Sequence, residues 1–227
     1  MDTKILPVVP EPENKETAEP SLLIQWKEKA VARYRKARAS REGRDVWHCI
    51  CSLMDGHAMN PPIKDEPLFR EIAGFLKSYV ATLPHEDKSA GLNSLLLGST
   101  GDVLADMGDF AFAHECFDKA IKLTPNDDDV YMIKAWAYLG EGKMEKAIES
   151  FEKALSVNPT RIRAMAILGP LCRITNKFRK AKKYYEQYLL FSDENDPNEK
   201  KRCDIARKWL PCLNRKIELF GEELKAT

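Results

Sequence analysis

Four side chains in one short stretch carry the donor atoms that a metal ion needs: His48, Cys49, Cys51 and, six residues further on, His57. Their spacing argues against a zinc site. On a helix, residues two apart point about 200° away from each other. Cys-x-Cys is also a poorer zinc signature than Cys-x-x-Cys. Burial of small thiols in a helix pair is the reading these residues support. Cys116, Cys172, Cys203 and Cys212 stand apart from one another and read as packed thiols. No metal and no cofactor is expected.

Catalytic patterns are equally thin. No G-x-S-x-G, H-E-x-x-H, phosphate-binding loop or dinucleotide fingerprint occurs in the 227 residues. His85 and His114 have no nucleophile adjacent in sequence. Acidic residues are abundant, but on amphipathic helices they are usually solvated. No catalytic residue is assigned, and an enzyme is not expected.

Charge is the next chemistry to weigh. The formal net charge of +1 names no partner. Two stretches are nonetheless basic. Lys27 to Arg44 holds eight cations against Glu28 and Glu42, and Arg173 to Lys183 holds six with no acid. Such stretches bind RNA or an acidic protein by releasing counterions. A solvated helix face is the plainer reading, and nucleic-acid binding is kept as an alternative.

The elements that would carry these residues follow from composition and punctuation. With 44% hydrophobic and 31% charged residues, the chain suits one elongated helical domain or a repeat array with extensions. Six cysteines without paired spacing are too few for a disulfide scaffold and point to a reducing compartment. The first residues lack the apolar run of a signal peptide, and no stretch approaches the roughly 18 apolar residues of a membrane span. A soluble, cytoplasmic protein is the expectation. Residues 1–20, with four prolines, read as a flexible tail. Residues 21–93 read as a helical extension. Its helices run from Ser21 to a stop at Gly43, over 44–58 until Asn60-Pro61-Pro62, and from Asp65 to Leu83-Pro84.

Downstream, small and aromatic residues recur every 34 positions. Ala113, Ala147 and Ala181 keep that step, as do Phe117, Phe151 and Tyr185. Gly108, Gly142 and Asn176 follow it, and Pro125 and Pro159 close the first two units. A fixed period of this length marks stacked helical hairpins. The small residues let two helices approach closely, and the aromatics one turn later fill the wedge between hairpins. The glycines take the chain through the turn, where positive φ is often needed. The expected fold is all-α: a right-handed superhelix of antiparallel helical hairpins. Three units cover 94–127, 128–161 and 162–195, and 196–227 forms a capping helix that Pro211 should kink.

The set of Gly101, Ala135 and Gly169, the alanine and aromatic series, Ala120, Ala154, Pro125 and Pro159 resembles the tetratricopeptide repeat family. Tyr188 and Asp193 depart from it in the third unit, where Ala and Pro would be the pattern. Trp136-Ala137-Tyr138-Leu139-Gly140 also spells a family signature, W-x-x-L-G, but in a register that places Glu152 and Pro159 where small residues belong. The 34-step alanines exclude that register.

The resemblance implies that the first helix of each unit lines a concave groove. In this chain that places Asp102, Asp129, Met132, Ile133, Trp136, Arg163, Ile167 and Arg173 along it, with an apolar centre between acidic and basic flanks. The implied function is a non-catalytic scaffold or adaptor that takes a peptide or helix of a protein partner against Met132, Ile133, Trp136 and Ile167. The alternatives are a groove filled by the chain's own N-terminal helices, an accessory factor binding RNA or acidic partners, and a homo-oligomer stacking through open ends. The family's dicarboxylate clamp for chaperone tails is not reproduced. Of Gly98, Asp102, Ile133, Arg163 and Ile167, which stand at the clamp's places, only Arg163 is compatible.

Overall fold

The computed structural model describes residues 20–57, 67–83, 89–193 and 195–220, which form ten helices and no strand. The expected tail, the Asn60-Pro61-Pro62 break, His85 and the side chain of His57 lie outside the described residues. The chain divides into two compact units, Met1–Ala81 and Thr82–Thr227.

The first unit holds α1 (Pro20–Ser40), α2 (Gly43–His57) and α3 (Pro67–Val80). Ala30, Ala37, Val46, Ile50, Leu53, Ile72 and Leu76 are fully buried among them. Trp26 donates its indole N–H to the Ser52 carbonyl at 2.6 Å. Tyr34 donates to Glu71 at 2.9 Å. Gly43 does not end α1 as expected; it opens α2. The left-handed stop is Arg41, at φ 52°, whose N–H still reaches the Ala37 carbonyl at 2.9 Å. That single residue outside the helical region turns the chain, so glycine's freedom was not needed there.

The second unit repeats one hairpin three times: α4 (Ala90–Asp106) with α5 (Phe110–Leu123), α6 (Asp128–Gly140) with α7 (Met144–Val157), and α8 (Ile162–Ile174) with α9 (Phe178–Phe191). Then α10 (Pro197–Phe220) packs on α9. It runs as one helix through Pro211.

The repeat is visible atom by atom. At the first turn Asp109 donates its N–H to the Leu104 carbonyl, at the second Lys143 to Tyr138, at the third Lys177 to Cys172, at 2.9, 2.8 and 2.8 Å. Each is the long bond of a helix stop through a left-handed residue. That residue is Gly108 (φ +84°), Gly142 (φ +79°) and Asn176 (φ 58°). Ala113, Ala147 and Ala181 are fully buried at the hairpin contacts, beside Phe117, Phe151 and Tyr185. Burying each such ring contributes about 2–3 kcal/mol. A Cβ on Gly101 would stand 2.7 Å from the Phe117 ring, and one on Gly169 2.9 Å from Tyr185. Glycine at these two positions is a matter of volume: the aromatic lies directly on the backbone.

The third unit's departures have a structural reason. Tyr188 is buried and donates its hydroxyl to Glu199 of α10 at 2.6 Å. Asp193 accepts from the N–H and amide of Asn195, at 2.9 and 2.8 Å, in the turn that leads to α10. Cys203, Ala206 and Leu213 bury the inner side of α10 against the same core.

Candidate functional site

The groove begins with caps. Asp127 accepts from the Asp129 N–H at 3.1 Å and starts α6, whose first turn then carries Asp128 and Asp129 near its positive end. Arg161, the residue before α8, bridges back to that turn. It contacts Asp128 at 3.0 Å and also engages Asp129. These bonds tie the starts of α6 and α8 and leave the next turns of both helices side by side.

Along those turns lies a cavity of about 620 Å³. Six of the eight residues placed in the groove by sequence line it together: Asp129, Met132, Ile133, Trp136, Arg163 and Ile167. Leu95 from α4 and Ala166 from α8 complete its apolar part. Trp136 is 51% exposed, with its indole edge-to-face on the buried Phe151 ring at 5.8 Å. Met132 is 5% exposed and forms the floor.

Two expected residues stand elsewhere. Asp102, half-buried on α4, does not line the cavity and is engaged by other groups of the chain. Arg173 does not line it either; its guanidinium lies over the Trp209 ring of α10, 4.0 Å from the centroid. A guanidinium on an indole face gains a cation–π attraction that the open groove would not provide.

Two charged lining residues, Arg161 and Arg202, fall outside the positions that the period predicts. Arg161 sits in a turn, and Arg202 on α10, so neither falls on the first helix of a unit. The helix expected only as a cap therefore also contributes a charged group to the groove.

The other candidate chemistries divide differently. His48 is exposed while Cys49 is fully buried, so the metal-like stretch faces two ways. Among the described residues no group of three or more His, Cys, Asp or Glu side chains is placed to hold a metal ion. Burial pushes the Cys49 thiol up to about 12, far from a reactive thiolate. His114 stacks on Tyr138 at 4.2 Å and contacts Glu141 at 3.1 Å. Glu141 is held below the usual carboxylate range, first by Lys143 and then by His114.

The basic stretches are largely engaged. Lys36 pairs with Asp45 at 2.8 Å, Arg38 with Glu71 at 3.7 Å, and Lys29 and Arg33 approach Asp55 at 3.9 and 4.0 Å. In the second stretch Lys180 pairs with Glu152 at 2.8 Å, Lys177 with Glu145 at 4.0 Å, and Lys182 with Glu186 at 3.8 Å.

Hairpins of this period, with small residues under aromatics and a lined groove, define a helical repeat scaffold. Residues 99–162 match the family model described as tetratricopeptide repeat. These residues carry the tetratricopeptide repeat. It is 35% identical over 86 residues to a tetratricopeptide repeat-containing protein of Methanocaldococcus jannaschii, covering 37% of this chain and 15% of that protein. It is 26% identical over 111 residues to Hsp70-Hsp90 organizing protein 2 of Arabidopsis thaliana, covering 48% of this chain and 19% of that protein. The matches thus span less than a fifth of either relative. Among solved structures, MamA shares the fold at 20% identity and a TM-score of 0.55, over 74% of this chain and 90% of that one. BtubC from P. vanneervenii does so at 11% identity and a TM-score of 0.54, over 93% of this chain and 97% of that one. Among the described residues no helix is long and apolar enough to cross a membrane.

Proposed function

We propose that this chain is a non-catalytic protein-interaction scaffold whose groove takes a peptide or helical segment of a partner against Trp136, Met132, Ile133 and Ile167. The observation that carries the reading is the half-exposed indole of Trp136 in a 620 Å³ cavity of mixed apolar and charged lining. Large aromatic side chains at the centre of a groove are the usual anchors of protein interfaces. The free thiols of all six cysteines support a reducing, cytoplasmic setting. The Arabidopsis relative is named for two chaperones, but Gly98, Asp102 and Ile133 stand here where a dicarboxylate clamp would need Lys and Asn. A partner other than a chaperone tail is therefore the better fit. The ion pairs of the basic stretches favour a protein partner over RNA, because paired cations release fewer counterions.

Trp136→Ala tests the reading, with folding and partner capture measured separately. Helical content by circular dichroism should be unchanged. Partners recovered by affinity purification and mass spectrometry should be lost, with a weakening of about 2–4 kcal/mol for a purified partner. Identical partners with the variant, or loss of soluble folded protein, would overturn it.

A further inference from the structure

The charge of the groove says more than its apolarity. Three guanidinium groups, Arg161, Arg163 and Arg202, line the cavity against one carboxylate, Asp129. Arg161 is committed to Asp128 and Asp129. Arg202 contacts Glu199 through one nitrogen at 2.9 Å, and its side chain remains 57% exposed. Arg163 is exposed and has no ion-pair partner among the described residues. A guanidinium carries five N–H donors in a planar fork and binds a carboxylate through two of them at once. Arg163 and Arg202 therefore hold unused donors beside an apolar floor. Both stand on α8 and α10, while the acids stand at the start of α6.

We propose that the partner is an acidic amphipathic segment, with aliphatic or aromatic side chains against Trp136, Met132 and Ile167 and carboxylates at Arg163 and Arg202. This rests on the reading of the groove as a peptide site. Charge complementarity selects the occupant: a basic segment would set its cations against both guanidiniums, and a neutral one would leave them to water.

A displayed library of random 16-residue peptides, selected on the full chain and counter-selected on Trp136→Ala, is the test. Enriched peptides should combine apolar residues with Asp or Glu on one side. The best of them should lose roughly fivefold to tenfold in affinity on Arg163→Gln with Arg202→Gln, as two exposed ion pairs would give. Its Glu→Gln analogue should lose the same against the native chain and little more against the double variant. Trp136-dependent peptides without acids, or with Lys and Arg, would overturn this inference and leave the peptide site standing. No Trp136-dependent enrichment would sink both. A dimer in light scattering that Trp136→Ala dissolves would replace the acidic partner with a second copy of the chain.

Discussion

The indole of Trp136 meets the ring of Phe151 edge to face, with 5.8 Å between centroids and 90° between planes. Phe151 is fully buried and Trp136 is 51% exposed. One contact thus joins the core to the groove. Phe151→Ala should cost about 3–5 kcal/mol of stability, because the surrounding hairpins cannot collapse onto the void. Trp136→Ala should cost only about 1–2 kcal/mol, the ring contact plus a partial burial. Urea denaturation of both variants checks this, and equal losses would place Trp136 in the core.

Glycines on α4 and α8 separate volume from propensity. Gly101→Ala and Gly169→Ala drive a methyl group to 2.7 Å from Phe117 and 2.9 Å from Tyr185. Each should destabilise by about 1–3 kcal/mol. Gly98→Ala meets only the Val130 side chain, at 3.9 Å. Since alanine favours helix over glycine, that variant should gain up to about 1 kcal/mol. Thermal melts of the three variants should therefore move in opposite directions.

The hairpin turns isolate a purely backbone effect. A Cβ on Gly108 or Gly142 would touch nothing within 4 Å, yet both residues hold positive φ. Alanine there should cost about 1–2 kcal/mol from the left-handed conformation alone. Asn176→Gly, at φ 58°, should by the same reasoning stabilise the third turn by a few tenths of a kcal/mol up to about 1 kcal/mol. A lower urea midpoint for Asn176→Gly would contradict it.

Burial pushes the thiols of Cys49 and Cys172 up to about 12 from an ordinary 9.0. The unfolded chain releases these protons near pH 9, whereas the folded chain keeps them to about pH 12. Between those values the folded state binds more protons, so stability should fall as pH rises. Below pH 9 the contribution is present in full. The urea midpoint should drop between pH 8 and pH 10.5, less steeply in a Cys49→Ala, Cys172→Ala variant. At pH 8, iodoacetamide should label the exposed Cys212 before either of them.

The repeat was legible because its chemistry is periodic. The alanines, aromatics and turn residues each answer a contact that recurs with every hairpin, and six of eight groove residues follow from the register alone. What escaped was aperiodic. Arg161 acts from a turn and Arg202 from a helix outside the three units, so the 34-residue step never reaches them. Arg173 falls on the expected helix, but nothing in the period announces that Trp209 lies over it. At Arg41 an ordinary residue took the left-handed stop two positions before the glycine that seemed made for it.

The bond from Tyr188 to Glu199 bears on how such an array can lengthen. Tyr188 replaces the alanine of the earlier units, and its hydroxyl finds its acceptor on α10. A unit inserted after residue 195 would separate the two and leave that hydroxyl buried without a partner, a loss of about 1–3 kcal/mol. A unit inserted between the second and third would leave them together. Growth by duplication is thus less costly between the second and third hairpins than after the third, and a single side chain sets that difference.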